Sequence, residues 1–284
     1  MTTFIVTRFA PSPTGLLHTG HAYSALFAHE SARQTGGRFI LRIEDLDFTR
    51  CRPEFEAAIE EDLTWLGITW ERPIRRQSDH LSDFTAAADT LKQQGLLYPC
   101  FCTRKDIQQE INAAGGAPHG PDGPVYPGIC RHLSPTERED RIAAGQSFAL
   151  RLDLQNALKI TGSDLTWQDL EKGWQTAQPE IFGDIVLVRK DIGSSYHLAV
   201  VHDDALQGVT RVTRGMDLFS ATHIQRVLQA LLGLPTPEYH HHQLICDNAG
   251  KRLAKRDDAE SLRSIRERGT TADELRSRFF KDML

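Results

Sequence analysis

The segment Arg8–His21, RFAPSPTGLLHTGH, constrains the fold of this chain more than any other stretch. It follows the apolar run Phe4–Val6, which predicts a buried strand that ends at Arg8. Two prolines exclude a helix inside the segment, and Gly15 permits a tight turn. A helical pattern then continues past Phe27. The segment is therefore predicted to join the first strand to the first helix.

His18 and His21 fall near the start of that helix and, being three residues apart, lie on one face of it. A helix N-terminus offers unpaired N–H groups and a partial positive charge, which suit a phosphate. Two imidazoles aimed at one point can donate hydrogen bonds to charge that develops on a phosphoryl group. Gly20, between them, leaves room for a flat ring against the backbone. The alternative is that both histidines only cap a surface helix.

The segment lacks the Gly-Lys-Ser/Thr of a Walker loop and the Gly-x-Gly-x-x-Gly of a dinucleotide fold. It resembles instead the ATP signature of class I aminoacyl-tRNA synthetases, and its first eight residues resemble the glutamyl branch. The resemblance implies an α/β fold with a Rossmann-like parallel sheet and helices on both faces. It also implies that His18 and His21 are catalytic and that ATP is bound by Pro11, Thr14, Gly15, Gly20 and His21.

The composition is that of an ordinary globular protein, with 40% hydrophobic and 25% charged residues. No apolar run reaches membrane-spanning length and no signal-like N-terminus is present, so we expect a cytoplasmic protein without membrane contacts. The net charge of −5 gives no general attraction to RNA, and any RNA contact must use a local patch. We expect a monomer.

A basic loop, Lys251–Arg256, follows a predicted strand and a Gly turn. Taken alone, such a run is most often a solvated surface. Class I synthetases carry a mobile Lys-x-Ser-Lys signature at this place, and the loop resembles it with Arg252 for the first Lys and Ala254 for the Ser. The resemblance implies that Lys255 binds ATP and stabilises the α/β-phosphates and the leaving pyrophosphate.

A glutamate substrate requires cationic donors in a fork, which arginine provides better than lysine. The resemblance implies that Arg8 and Arg214 hold its side-chain carboxylate. It further implies that Glu44 takes the α-amino group and that Tyr196 forms a wall of the pocket. Ala10 and Ser12, in the matched loop, are also implied to bind glutamate. Two alternatives stay open, namely that Arg8 pairs with Glu44 and that Tyr196 belongs to the core.

Three clustered thiols suggest a structural zinc site rather than a disulfide framework. Zinc sites of this kind take four ligands, and chemistry alone would select His119 or His132 as the fourth. The spacing Cys-x-Cys…Tyr-x-x-x-Cys resembles the glutamyl-queuosine tRNA(Asp) synthetases, which implies one Zn²⁺ held by Cys100, Cys102, Tyr126 and Cys130. The alternative is three free cysteines in a small core. Cys51 and Cys246 stand apart, and no role is expected for them.

His240–His242 lie in a predicted strand, where neighbouring side chains point to opposite faces. The family carries a His-rich strand here that lines the adenosine pocket, which implies packing or nucleotide contact rather than a metal site. We also predict a helix capped by Ser78 and a strand, or a strand followed by a helix, from Ser195 to Val201.

The chain divides by pattern into four parts. Residues 1–98 and 184–250 are predicted to form the two halves of the catalytic core. Residues 99–183 are predicted to form a zinc-containing α+β insertion, and 251–284 the basic loop and a short helix. Because only a short segment follows the basic loop, we expect no anticodon-binding domain.

The resemblance implies ATP-dependent activation of L-glutamate without tRNA, with Mg²⁺ on the nucleotide, and transfer of glutamate to the queuosine of tRNA(Asp). One alternative is a minimal glutamyl-tRNA synthetase that charges a tRNA 3′ end. Another is a non-catalytic module that binds glutamate or tRNA, which Ala254 would favour and the intact His18–His21 motif disfavours.

Overall fold

The computed structural model describes residues 4–114, 117–245 and 260–279. Its α-helices are α1 Thr19–Arg33, α2 Pro53–Trp65, α3 Leu81–Gln93, α4 Arg104–Ala113, α5 Pro135–Ala143, α6 Leu154–Thr161, α7 Tyr196–Leu206, α8 Ala221–Leu231, α9 Leu262–Glu267 and α10 Ala272–Phe279. Its strands are β1 Val6–Phe9, β2 Arg38–Ile43, β3 Arg75–Arg76, β4 Leu97–Cys100, β5 His119–Gly120, β6 Gly123–Pro124, β7 Ala149–Leu152, β8 Thr166–Asp169, β9 Gly173–Thr176, β10 Val186–Val188, β11 Arg211–Gly215 and β12 Glu238–His242.

Two parallel sheets form the core. Strands β1, β2 and β3 pair in parallel, and so do β11, β12 and β8, with β9 added antiparallel at the edge. The sheets adjoin where the Thr210 amide donates to the Val6 carbonyl at 3.0 Å. The Val6 amide in turn donates to the Thr210 hydroxyl at 2.8 Å. The predicted α/β architecture with a parallel sheet is confirmed.

A third sheet is antiparallel and has the order β10-β7-β4. Strand β7 lies in the stretch predicted to be an insertion, and so do β8 and β9, which join the core sheet beside β12. The boundaries of the four predicted parts stay a prediction.

Apolar side chains of the helices pack against these sheets. One buried cluster joins α1, β2 and α2 to α9 and α10, through Leu26, Leu41, Leu63, Ile265 and Leu275. A second cluster joins α3, α6, α7 and α8, through Leu91, Ala157, Leu198 and Leu228. The first is amphipathic-helix packing of the kind that the 3.6-residue periodicity predicts, whereas α7 in the second is buried along most of its length. No helix among the described residues is both long and apolar enough to cross a membrane.

Two local predictions were wrong. Ser78 lies in the 3₁₀ helix Gln77–His80, and α3 begins only at Leu81, because the Ser78 amide and hydroxyl bind Asp45 instead of capping a helix. The stretch from Ser195 is the start of α7, whose N-cap is Ser195. Residues 198–201 are all buried, so their apolar run carries no periodicity that separates helix from strand.

Candidate active site

The two histidines of the opening segment sit at the N-terminus of α1, in the arrangement that the sequence predicts. His18 is the N-cap, and its Nδ1 accepts a hydrogen bond from the Gly20 amide at 3.1 Å. The Nδ1 of His21 accepts from the His18 amide at 3.2 Å. Because each Nδ1 accepts, each neutral ring carries its proton on Nε2. Capping and donation to a ligand are therefore compatible functions of the same ring.

A cavity of about 470 Å³ opens beside these rings. Its lining includes most of the residues that the sequence analysis selected: Arg8, Ala10, Pro11, Ser12, Thr14, His18, Gly20, His21, Glu44, Tyr196 and Arg214. Gly15 is not part of the lining. The predicted basic loop, with Arg252, Ala254 and Lys255, lies outside the described residues, as does Cys246.

Arg8 and Glu44 do not pair with each other. The Nε of Arg8 lies 2.9 Å from Oδ1 of Asp204, and Glu44 pairs with Arg42 at 3.1 Å. Arg42 also contacts the same Asp204 oxygen, at 2.8 Å. Burial raises the pKa of Glu44 despite the attraction of the arginines. Burial alone would raise the pKa of Asp204 too, but Arg8 and Arg42 hold it below its usual value. Four alternating charges thus form one buried network.

Arg214 is equally buried, yet its described partners are all neutral. Its nitrogens donate to Nε2 of His241 at 3.0 Å, to the Gln225 amide oxygen at 2.9 Å and to the Thr222 hydroxyl at 2.6 Å. The Tyr196 hydroxyl lies at 3.4 Å. No carboxylate in the described parts of the chain forms an ion pair with Arg214. This buried positive charge therefore lacks a direct counter-charge at the edge of a cavity.

Tyr196 is a wall of the cavity and not a core residue, since 37% of it is exposed. It is the first residue of α7, so its ring projects from the helix N-terminus towards the same space as Arg214. The alternative of a core tyrosine is excluded.

The sequence analysis missed several residues that line the cavity, including Tyr23, Ser24 and Asp217. Ser24 lies one helical turn after Gly20, a spacing that could have indicated it. His242 also lines the cavity, and its Nδ1 donates to the Gln243 carbonyl at 2.9 Å, so its Nε2 accepts from the Ser24 hydroxyl at 2.9 Å. Burial lowers the pKa of His242, which keeps the ring neutral.

Asp204 was also missed, although an acidic pair inside the apolar helix α7 was a usable signal. Asp203 and Asp204 are both buried. Acidic residues are almost never buried unless they are paired. Their presence in a helix that otherwise reads as core predicts buried cationic partners.

The three clustered cysteines lie close together in the fold, although up to 30 residues of chain separate them. The sulfurs of Cys100, Cys102 and Cys130 lie within 4.8 Å of one another. The Tyr126 hydroxyl is 3.4 Å from the sulfur of Cys100 and 3.7 Å from that of Cys102. In the described chain no histidine joins this group, so neither His119 nor His132 supplies a fourth donor. Cys51 stands apart from it as a free cysteine.

The thiols of this group have pKa values that are shifted in opposite directions, and burial raises the pKa of Cys102 to about 12. Burial by itself would also raise the pKa of Cys100, but hydrogen bonds with Tyr126 and Arg151 lower it overall. Thiolates bind zinc at about 2.3 Å in tetrahedral geometry, which places ligand sulfurs about 3.8 Å apart. The separation of 3.4 Å between the sulfurs of Cys102 and Cys130 is close to that requirement. The donor set therefore fits a zinc ion.

Comparisons with known proteins agree with this geometry. The family described as tRNA synthetases class I (E and Q), catalytic domain, matches residues 4–280. The Glutamyl-Q tRNA(Asp) synthetase of Rhodobacter capsulatus is 52% identical over 280 residues, which cover 96% of this chain and 98% of that protein. The enzyme of the same name from Symbiobacterium thermophilum is 42% identical and covers 94% and 82%.

The Glutamate–tRNA ligase of Aquifex aeolicus is 39% identical, but the chain spans only 55% of its length. Among solved structures, a glutamate tRNA ligase from Elizabethkingia meningosepticum, in complex with its amino acid, superposes with a TM-score of 0.76 at 28% identity. That match covers 89% of this chain and 52% of the ligase.

Proposed function

This chain belongs to the class I tRNA synthetases for glutamate and glutamine, and from that membership we propose that it activates glutamate without tRNA and transfers it to the queuosine of tRNA(Asp). The observation that carries the proposal is a cavity lined by two histidines whose Nδ1 atoms accept hydrogen bonds, and by an arginine that no carboxylate of the described residues contacts. Relatives that this chain matches over most of their length bear the name Glutamyl-Q tRNA(Asp) synthetase.

In the activation step, an α-carboxylate oxygen of glutamate attacks the α-phosphorus of ATP. The bond to the bridging oxygen breaks and pyrophosphate leaves with its electron pair. The nucleophile is already ionised, so no general base is needed, and catalysis consists of positioning and charge stabilisation. His18 and His21 donate to the phosphoryl oxygens. Lys255 stabilises the leaving pyrophosphate, and Mg²⁺ accompanies the nucleotide.

The described contacts support a division of glutamate binding between the two arginines. Arg214 takes the side-chain carboxylate, because no carboxylate of the described residues contacts its buried charge. Arg8 donates from Nε to Asp204 and from Nη1 to the Thr213 carbonyl. These two contacts orient the guanidinium and leave its remaining N–H groups for the glutamate. Glu44 accepts from the α-amino group, and Tyr196 closes the pocket. These assignments rely on charge-assisted hydrogen bonds, which are the strong ones.

The zinc ion would be held by Cys100, Cys102, Cys130 and Tyr126, where it would tie β4 to the loop before α5. A four-coordinate closed site of this kind stabilises structure and leaves no position for catalysis. The buried cluster around Tyr98, Phe101 and Tyr126 packs against the same residues. We place the ion's contribution in folding, not in adenylate formation.

The transfer step forms an ester between the glutamyl carbonyl carbon and a hydroxyl of the queuosine cyclopentenediol, and AMP leaves. Two measurements test the sequence of steps. The first is ATP–pyrophosphate exchange that depends on glutamate and proceeds without tRNA. The second is transfer of labelled glutamate to tRNA(Asp) trimmed of its 3′-terminal adenosine, with and without queuosine.

The expected result is exchange without tRNA and labelling of the trimmed, queuosine-containing tRNA in its anticodon fragment. Labelling that requires the terminal adenosine and ignores queuosine would identify a minimal glutamyl-tRNA synthetase. Binding of glutamate or tRNA without any exchange would identify a non-catalytic module. Either outcome contradicts the proposal.

A further inference from the structure

The buried arginine of the cavity stands at one end of a line of three side chains on three neighbouring strands. Arg214 and His241 are register partners on β11 and β12. Asp169 ends β8, which pairs with β12 on the other side. The Arg214 Nε is 3.0 Å from Nε2 of His241, and Nδ1 of His241 is 2.6 Å from Oδ2 of Asp169. The His241 and Asp169 side chains are fully buried.

We propose that Asp169 is a positioning residue that acts through His241 to orient the guanidinium of Arg214 towards the side-chain carboxylate of glutamate. The inference rests on the proposed function, because it takes Arg214 as the residue that binds this carboxylate. None of the sequence patterns pointed to Asp169, which lies in the stretch predicted to be an insertion.

The direction of each hydrogen bond follows from the donor inventory. Arginine has only donors, so the Nε2 of His241 must accept and its Nδ1 must carry the proton. That proton is then donated to Asp169. Burial and the nearby Arg214 lower the pKa of His241 to about 3, which agrees with a neutral ring. Only one tautomer satisfies both neighbours.

The carboxylate of Asp169 is itself held in place. Its Oδ1 accepts the amides of Glu171 and Lys172, each at 2.9 Å. Burial alone would raise the pKa of Asp169, but the hydrogen bond from His241 and those from the two amides lower it overall. Asp169 is therefore an anchored acceptor, and it fixes the ring orientation as a carboxylate fixes a metal-bound or catalytic histidine.

The imidazole of His241 separates the carboxylate of Asp169 from the guanidinium of Arg214, and this separation has a consequence for ligand binding. A carboxylate in direct contact, such as Asp204 beside Arg8, would occupy N–H groups and compete with the carboxylate of a ligand. One imidazole placed between the charges leaves the guanidinium without a direct carboxylate while supplying a negative charge nearby. Arg214 is thus oriented but not neutralised, and it favours a ligand with a carboxylate over one with an amide.

The test is Asp169→Asn, measured by ATP–pyrophosphate exchange with glutamate, beside Glu171→Gln as a matched control in the same turn. Glu171 is exposed and contacts His240, so its charge is removed without touching the line. An asparagine cannot accept from both His241 and the two amides, so the tautomer of His241 is disturbed. We expect the KM for glutamate to rise about tenfold or more, with the KM for ATP unchanged. The preference for glutamate over glutamine falls as well.

Two further measurements separate positioning from general damage. In an Arg214→Lys background, which lacks the Nε–H donor, Asp169→Asn should add little to the KM for glutamate. Nitrogen NMR of the His241 ring should show a protonated Nδ1 in the wild type and a changed state in Asp169→Asn. If that variant does not fold, His241→Asn serves instead, because it removes the acceptor for Arg214 and retains a donor for Asp169.

The outcomes are distinguishable. A wild type that exchanges with glutamate, together with a folded Asp169→Asn whose KM for glutamate is unchanged, overturns the positioning role. A parallel rise of both KM values, or full additivity with Arg214→Lys, also overturns it, since either indicates structural damage. A wild type without any glutamate-dependent exchange overturns the proposed function itself, and the inference with it.

Discussion

Arg8 and Asp204 form a buried ion pair across 196 residues of sequence, with Nε and Oδ1 separated by 2.9 Å. The same carboxylate oxygen binds Arg42 at 2.8 Å, so one aspartate compensates two buried guanidinium groups. The pair joins β1 to α7, and therefore joins the strand that begins the opening segment to a helix far along the chain. A single side chain thus couples the stability of the fold to the geometry of the cavity.

Replacing Asp204 with asparagine leaves two buried cations without their shared counter-charge. We expect Asp204→Asn to lower the free energy of unfolding by about 3 kcal/mol, as measured by urea denaturation. The KM for glutamate in pyrophosphate exchange should also rise, because Arg8 loses the partner that orients it.

Asp203 provides a matched control one residue earlier. It is also buried, but it pairs with Arg75 at 2.9 Å, away from the cavity. Asp203→Asn should cost comparable stability and leave the KM for glutamate unchanged. Equal effects of the two variants on KM would show that Asp204 has no specific connection to the site.

His18 combines two functions that a pair of substitutions can separate. As the N-cap it accepts from the Gly20 amide through Nδ1, and in the proposed reaction it donates through Nε2. His18→Asn retains a capping acceptor but has no N–H at the position of the ring Nε2, whereas His18→Ala has neither the acceptor nor a donor. Both variants should lose about 10² to 10³-fold in exchange rate. Only His18→Ala should also lose about 1 kcal/mol of stability. Exchange that survives in His18→Asn would exclude the ring from the reaction.

The sequence predicted the local structure around the cavity where that structure depends only on neighbouring residues. The opening segment specified its strand, turn and helix through two prolines, a glycine and two histidines, and the structure places them as expected. The capping boxes at Thr103 and Ser134 are local in the same sense, because each joins two residues that are three apart in sequence. Local rules of this kind do not depend on the rest of the chain.

The partners of Arg8 and Arg214 could not be predicted, because they are set by strand register between distant parts of the chain. The acidic pair of α7 signals buried cationic partners for Asp204, but nothing local identifies them as Arg8 and Arg42. The contacts of His241 and Asp169 are likewise set only when the sheets are assembled. Helix α7 was misjudged for the related reason that a helix buried on all sides has no visible period. Tertiary contact, not local propensity, decided these positions.

Zinc removal tests the fourth ligand as well as the ion. We expect the purified protein to hold one zinc ion, measured by atomic emission, and Cys130→Ser to lose it. Tyr126→Phe preserves the ring in its buried cluster but removes the hydroxyl beside Cys100, so zinc affinity should fall while the apo protein stays folded.

His119→Ala and His132→Ala are the controls, and both should keep their zinc. Chelation should clearly lower the thermal midpoint, whereas the rate of pyrophosphate exchange measured below that midpoint should fall only slightly. A chelated protein with an unchanged thermal midpoint would contradict a structural role. If zinc is lost only in one of the histidine variants, that histidine and not Tyr126 is the fourth ligand.

Asp62 is buried on α2 without a hydrogen-bond partner for either carboxylate oxygen, and its nearest described cation is Arg266 at 3.7 Å. Burial raises its pKa to about 6, which the attraction of Arg266 only partly offsets. Between the unfolded pKa near 4 and this folded pKa, the folded state binds more protons than the unfolded state, so stability falls as the pH rises.

Asp62→Asn removes the ionisation, and we expect this variant to be more stable than the wild type by about 2 kcal/mol at pH 7.5. The difference should shrink towards zero below pH 4. Urea denaturation across this range measures it, with Glu54→Gln, an exposed position on the same helix, as the control. A difference that does not change with pH would show that the pKa of Asp62 is the same in the folded and unfolded states.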